Sequence, residues 1–197
     1  AAYADLNTLS VTTPDFAQSG ENILVTWDVR NDGNATTDLA LWNDRVTLST
    51  DPNPSNDDIV IAGSVTHAGL LSPGQGYTGR ATITLPRDLE GTFYVIVDTN
   101  SSRQVTELGR TGNNARASVA KIQIGLAPVA DLVVSNVSGP ASLRPGDAGS
   151  VRYTLTNQGG IATGTAWRDR IFIDRGAQGG LYEIASVLNT NALDSGV

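Results

Sequence analysis

Short runs of period-two hydrophobicity, turn signals between them, and a stretch of chain that recurs at a fixed offset predict an all-β protein. The predicted architecture is an immunoglobulin-like antiparallel β-sandwich, one complete seven-stranded module followed by a partial second copy. The period is clearest in Ile23, Val25, Trp27 and Val29, which alternate with Leu24, Thr26, Asp28 and Arg30. Side chains two apart share one face of a strand, so this strand buries one face. The recurrence sets NILVTWDVRNDGN (22–34) against SVRYTLTNQGG (150–160). Val25, Trp27, Val29, Asn31 and Gly33 return as Val151, Tyr153, Leu155, Asn157 and Gly159, each 126 residues later.

The first module, residues 1–126, carries seven predicted strands, at roughly 5–12, 23–29, 44–50, 59–67, 76–85, 92–99 and 115–124. Between them lie clusters of turn formers, such as Asn31-Asp32-Gly33-Asn34, Ser72-Pro73-Gly74 and Thr111-Gly112-Asn113-Asn114. Glycine admits positive φ, proline presets φ, and Asn or Asp bonds nearby backbone, so these clusters reverse the chain. Trp27, Ile83, Leu85, Val95 and Val97 are the expected core where two sheets face each other.

GLAPV (125–129) reads as a short, stiff hinge, because Pro128 has no backbone donor and a fixed φ. The second module, 127–197, reopens with Ala130-Asp131-Leu132 for Ala4-Asp5-Leu6. Trp42-Asn43-Asp44-Arg45-Val46 returns as Trp167-Arg168-Asp169-Arg170-Ile171, now 125 residues on. Counterparts of 76–85, 92–99 and 115–124 do not follow within the sequence. Half a sandwich exposes an apolar face and unpaired strand edges, so this half is expected to pack on the first module or to self-associate with another chain.

A net charge of −7 argues against broad affinity for nucleic acid or anionic lipid. Without cysteine there is neither a disulfide nor a thiol nucleophile, and stability must come from the core. No run approaches the roughly 18 apolar residues of a spanning helix, so direct membrane insertion is not expected. The Ala-Ala start without methionine reads as a piece excised from a longer chain, with any signal peptide or anchor outside it.

Several of these residues together resemble a bacterial module, the cell-adhesion-related domain found in bacteria, CARDB. The resemblance rests on Asp5 and Asp131 in the opening ADL, and on Arg144-Pro145-Gly146 before the second strand. It also rests on Asn31 and Gly33 with Asn157 and Gly159, and on the late block of Val105, Glu107, Asn113 and Asn114. The first copy has Gln18-Ser19-Gly20 where the second has Pro-Gly, a departure confined to one turn. The resemblance implies a sandwich from a large secreted or surface-attached protein with a spacer or adhesive role, and transfers no catalytic residue.

Chemistry concentrates in four places. The loop 51–58 holds Asp51, Asn53, Asn56, Asp57 and Asp58, an oxygen-rich set of the kind calcium takes in flexible geometry. It lacks the glycine and distal Glu of an EF-hand loop, and the same composition serves a turn whose Asp and Asn side chains cap backbone amides. The matching stretch, 174–180, has a single carboxylate, Asp174, beside Arg175, so the fold does not require the acidic loop. Asp98, Asn100, Glu107, Asn113 and Asn114 form a second cluster, either a cation or sugar site or the satisfaction of an irregular loop's own backbone. Trp42 before Asp44-Arg45 is read as a packed indole beside a paired Arg, or as an exposed platform for sugar stacking. His67, the lone histidine, is read as an ordinary surface residue, because no nucleophile accompanies it.

The function these features favour is a non-enzymatic adhesive or spacer module of a multi-repeat protein, extracellular on a bacterial surface or secreted, stabilised by calcium if the loop 51–58 holds it, with a protein or glycan partner on a cell surface or matrix. The alternative is a calcium-assisted carbohydrate-binding module accessory to a secreted enzyme, with Trp42, the acidic loop and the late Asn pair on one side.

Overall fold

The computed structural model describes residues 1–144 and 146–196, and divides into two compact units, Ala1–Ala127 and Pro128–Val197. The first unit is a two-sheet sandwich. One sheet joins β1 (Leu6–Thr12), β3 (Asn22–Asn31) and β6 (Gly76–Thr84) in the order β1-β3-β6. The other runs β2 (Phe16–Gln18), β9 (Ile122–Gly125), β7 (Gly91–Asp98), β4 (Leu41–Ser49), β5 (Ile59–Ala68), with β8 (Ala115–Ala117) also paired to β7.

The alternation read from the sequence directs one face of each sheet inward. Ile23, Val25, Trp27 and Val29 of β3 meet Val46 and Leu48 of β4 and Val95 and Val97 of β7, all buried, with Ile83 and Leu85 beside them. Burying a Val or Leu side chain contributes about 1.5–3 kcal/mol, and with no disulfide this core is what holds the unit together.

Two departures concern the sequence-based strands. The stretch 115–124 is two short strands, β8 and β9, because the chain leaves β7 at Ser118, whose hydroxyl bonds Val95 N and Ala120 O, and rejoins it further along. The segment Phe16–Gln18, not expected as a strand, pairs in parallel with β9.

Asn31 closes β3 and is fully buried. Its Oδ1 accepts from Asp5 N and Gly33 N at 3.0 Å each, while Nδ2 donates to Ala35 O and Leu71 O at 2.8 and 2.9 Å. Gly33 must lack a side chain, since a Cβ would collide with the Tyr3 carbonyl oxygen. The Asn-x-Gly sequence is therefore a staple between the start of β1 and two loops, more than a turn.

The second unit consists of two ribbons: β10 (Leu132–Ser138) with β11 (Arg152–Asn157), and β12 (Trp167–Asp174) with β13 (Leu181–Asn189). Asn157 is again fully buried, taking Asp131 N and Gly159 N and giving to Ile161 O and Leu193 O. Elsewhere its apolar faces are open: Val137 is 66% exposed and Ile173 50%. Among the described residues no helix is long and apolar enough to cross a membrane.

Candidate functional site

The strongest concentration of chemistry lies inside the first unit, around a carboxylate. On β4 the inward positions are Trp42, Asp44, Val46 and Leu48, so alternation carries Asp44 into the core, where it is 1% exposed. Burying a carboxylate demands compensation in full, and a carboxylate offers about four lone-pair sites. Oδ2 accepts from Trp27 Nε1 at 2.8 Å and the Tyr77 hydroxyl at 2.6 Å; Oδ1 accepts from Thr99 Oγ1 at 2.6 Å and Asn100 N at 3.2 Å. Three elements thus converge on one side chain: β3, β6 and the end of β7.

A second layer surrounds it. Trp42 Nε1 donates to the Tyr77 hydroxyl at 3.3 Å. His67, on β5, lies between two rings, with centroids 4.1 Å from Trp42 and 3.9 Å from Tyr77. One imidazole nitrogen, Nε2, is 3.0 Å from the Gly69 carbonyl oxygen. Burial holds the imidazole below its usual range, although the Gly69 carbonyl and the Asp44 charge pull the other way. Burial, then the Asp44 charge and hydrogen bond, push the Tyr77 phenol far above its usual value. A cleft of about 380 Å³ opens here between β5 and β6, with Val65, His67, Tyr77 and Arg80 on its walls.

This arrangement is poor for catalysis. With four donors seated, Asp44 has no lone pair left to act as a base, and the Tyr77 proton is committed to it. His67 has no nucleophile among its partners. Its place in the stack also corrects the reading of an ordinary surface residue: the ring is part-buried between Trp42 of β4 and Tyr77 of β6. Trp42 is packed, the first of the two readings given for it. It is 1% exposed, because the same alternation that buries Asp44 buries its neighbour two positions earlier, so it offers no face to a sugar.

The late loop resolves into separate groups. Glu107 is buried and its Oε1 accepts from Asn100 Nδ2 and Asn114 Nδ2 at 2.7 Å each, while Oε2 takes Leu6 N at 2.8 Å. Asn100, at positive φ, accepts Gln104 N and Val105 N on its Oδ1. These side chains satisfy the backbone of an irregular connection and tie it to β1. Asp98 instead pairs with Arg103 at 3.0 Å and Arg45 at 3.6 Å, and Asn113 donates to Asp5. The five residues read as one cluster therefore serve three different contacts.

In the acidic loop, Asp51 Oδ1 accepts Asn53 N at 2.8 Å and Asp58 Oδ2 accepts Ser55 N at 2.9 Å. The Ser55 hydroxyl bonds both Asp57 and Asp58, and Asn53 and Asn56 are exposed. These are turn contacts. Among the described residues no three His, Asp or Glu side chains converge in a way that would hold a metal.

The second unit carries a reduced form of the Asp44 site. Tyr153 donates to Asp169 Oδ2 at 2.6 Å, joined by Asn189 Nδ2 at 2.9 Å. Arg170 pairs with Glu183 through Nε at 2.9 Å. The alternation of Trp42, Asp44, Val46 and Leu48 was a signal present in the sequence that could have placed Asp44 inward; the donors to it had no such signal.

No family model matches the sequence, and no curated protein matches it either. Solved structures do. One is the CARDB domain of a Pyrococcus furiosus protein, crystallised in complex with di-metal ions, at 16% identity and a TM-score of 0.45, covering 64% of this chain and 98% of that one. The chain is similar to CARDB domains. The solution structure of the same Pyrococcus domain matches at 16% identity and a TM-score of 0.43, covering 64% of this chain and all of that one. A sporulation control protein of Bacillus subtilis matches at 17% identity and 0.37, covering 64% of this chain and 51% of that chain. At this distance none of them bears on individual residues.

Proposed function

We propose that the chain is a non-enzymatic adhesive or spacer segment of a bacterial surface or secreted protein, built from a module and a partial second copy of it. The observation that carries this reading is the saturation of Asp44: a buried carboxylate is fully occupied in joining the two sheets. Supporting it, the same hydrogen-bond pattern surrounds Asn31 and Asn157, as expected of units made to one design and strung together. Acidic charge and a cysteine-free core suit a module that works outside the cell, and its partner would be a protein or glycan on a cell surface or matrix.

The test is adhesion without turnover. Beads coated with the chain are expected to be retained on cells or matrix, or to behave as inert spacers, while polysaccharide and peptide substrates stay intact. A glycan array run with and without chelator separates the alternative: chelator-sensitive sugar binding would replace this reading with a calcium-assisted carbohydrate-binding module. The burial of Trp42 and the capping contacts of the acidic loop weigh against that outcome.

A further inference from the structure

Of the 13 Lys and Arg residues in the chain, Lys121 is the only lysine. A guanidinium and an ammonium can both hold a carbonyl oxygen, but only the ammonium readily gives up a proton to become a nucleophile toward an acyl group. Lys121 lies between β8 and β9, directly before Ile122. Its Nζ donates to the Thr50 carbonyl oxygen at 3.0 Å and stands 4.8 Å from the centre of the Tyr94 ring. The amine is therefore held at the start of the loop that leaves β4.

Thr50 is followed by Asp51-Pro52, the only Asp–Pro peptide in the sequence. Two features weaken such a bond. The Asp carboxylate can reach its own backbone carbonyl carbon by closing a small ring, and proline supplies a tertiary-amide nitrogen, which has no N–H and leaves more readily once protonated. Asp51 Oδ1 accepts Asn53 N at 2.8 Å, and the ring closed by this hydrogen bond contains the Asp51–Pro52 peptide, so the carboxylate is kept beside it. Asp51 N in turn donates to Ser49 Oγ at 3.3 Å. Asp51, Pro52 and Lys121 are all exposed, which leaves the loop and the amine room to meet. The matching loop of the second unit, 174–180, has neither proline nor lysine, so the pairing is particular to the first.

We infer that the Asp51–Pro52 bond is a self-processing site whose acyl group passes to Lys121, leaving an isopeptide cross-link. In the first step a carboxylate oxygen of Asp51 attacks the Asp51 carbonyl carbon. The carbon–nitrogen bond to Pro52 breaks, the nitrogen leaves with a proton from the Lys121 ammonium, and a cyclic anhydride remains. In the second step the neutral Nζ attacks an anhydride carbonyl. A carbon–oxygen bond breaks, a carboxylate is released, and the surplus proton passes to the new Pro52 amine. No water is consumed and nothing is oxidised. Proximity favours both steps, because nucleophile and acyl carbon belong to one folded structure. The product ties the end of β4 covalently to the head of β9, and the chain entering β5 then begins at a free Pro52 amine. A chain without cysteine thereby gains a covalent staple of another kind.

The test is intact-mass measurement and peptide mapping of the full chain during prolonged incubation, folded in buffer and unfolded in urea. In the folded chain a branched product of unchanged mass is expected, with a new amino terminus reading Pro-Asn-Pro-Ser and a peptide in which Asp51 is joined to Lys121. Lys121→Arg keeps a donor for Thr50 O but cannot take the acyl group, so cleavage should continue with the mass of one water gained and the branch should be lost. Pro52→Ala, which restores an ordinary secondary amide, and Asp51→Ala, which removes the attacking carboxylate, should both stay intact. All three sites are exposed, and unchanged melting temperatures show that the variants fold. A native chain that stays whole, cleavage by water without a branch, a branch that forms equally in urea, or one that survives Lys121→Arg would each overturn the proposal.

Discussion

The indole N–H of Trp27 donates to Asp44 Oδ2 across the two sheets at 2.8 Å, and the phenol of Tyr153 donates to Asp169 Oδ2 at 2.6 Å. The first pair is buried and completed by three more donors; the second is half-exposed, with one more. The same contact therefore sits in two solvent environments within one chain, and its energetic value should differ accordingly.

Asp44→Ala is expected to destabilise the first unit by about 3 kcal/mol or more, because it strands several buried donors at once. Trp27→Phe, which removes a single donor, should cost about 1–3 kcal/mol. Asp169→Ala should cost the second unit about 1 kcal/mol or less, since water can replace the lost acceptor. Urea denaturation followed at amides specific to each unit ranks the three, and equal losses at Asp44 and Asp169 would contradict the account.

Asn31→Asp keeps the acceptor oxygen for Asp5 N and Gly33 N but sets a charge against the carbonyls of Ala35 and Leu71. A loss of about 2–4 kcal/mol is expected. Asn31→Ala, which removes both functions without adding charge, should be milder; calorimetric melting of the two variants decides the order.

His67 supplies a pH dependence. Its folded pKa lies below the unfolded value, chiefly through burial, so the unfolded state binds the proton more readily. The stability contributed by the neutral ring is present above about pH 6.5 and declines as pH falls through that ordinary histidine value toward the folded one. His67→Asn, which places opposite Trp42 the residue that stands opposite Trp167 in the second unit, Asn189, should flatten the melting temperature between about pH 7 and pH 5. An unchanged slope would show that the ring does not titrate differently on folding.

Calcium at about 1 mM, the weak end of extracellular sites, is expected to leave the melting temperature unchanged, because Asp51, Asp57 and Asp58 are engaged in turn contacts. Calorimetric heat on titration, abolished by Asp58→Asn, would instead make the loop a cation site.

The legible part of this protein is the part governed by neighbours in sequence. Ile23, Val25, Trp27 and Val29 announced a strand and its buried face, and Trp42, Asp44, Val46 and Leu48 had the same rhythm, so even the burial of Asp44 was within reach. The break between β8 and β9 was not, since Ser118 leaves the ladder by a contact with β7 that composition does not encode.

By itself the sequence determined the all-β class, the positions of most strands and the members of the core, because side-chain alternation and turn chemistry act over a few residues. Tertiary structure alone decided which polar groups satisfy one another. Trp27 and Asp44 are 17 residues apart and Leu6 and Glu107 are 101, and such pairs form only once two sheets are stacked face to face. The physical reason is desolvation: a carboxylate enters the core only where folded geometry gathers its donors, and that gathering is a property of the packed sheets rather than of any one strand.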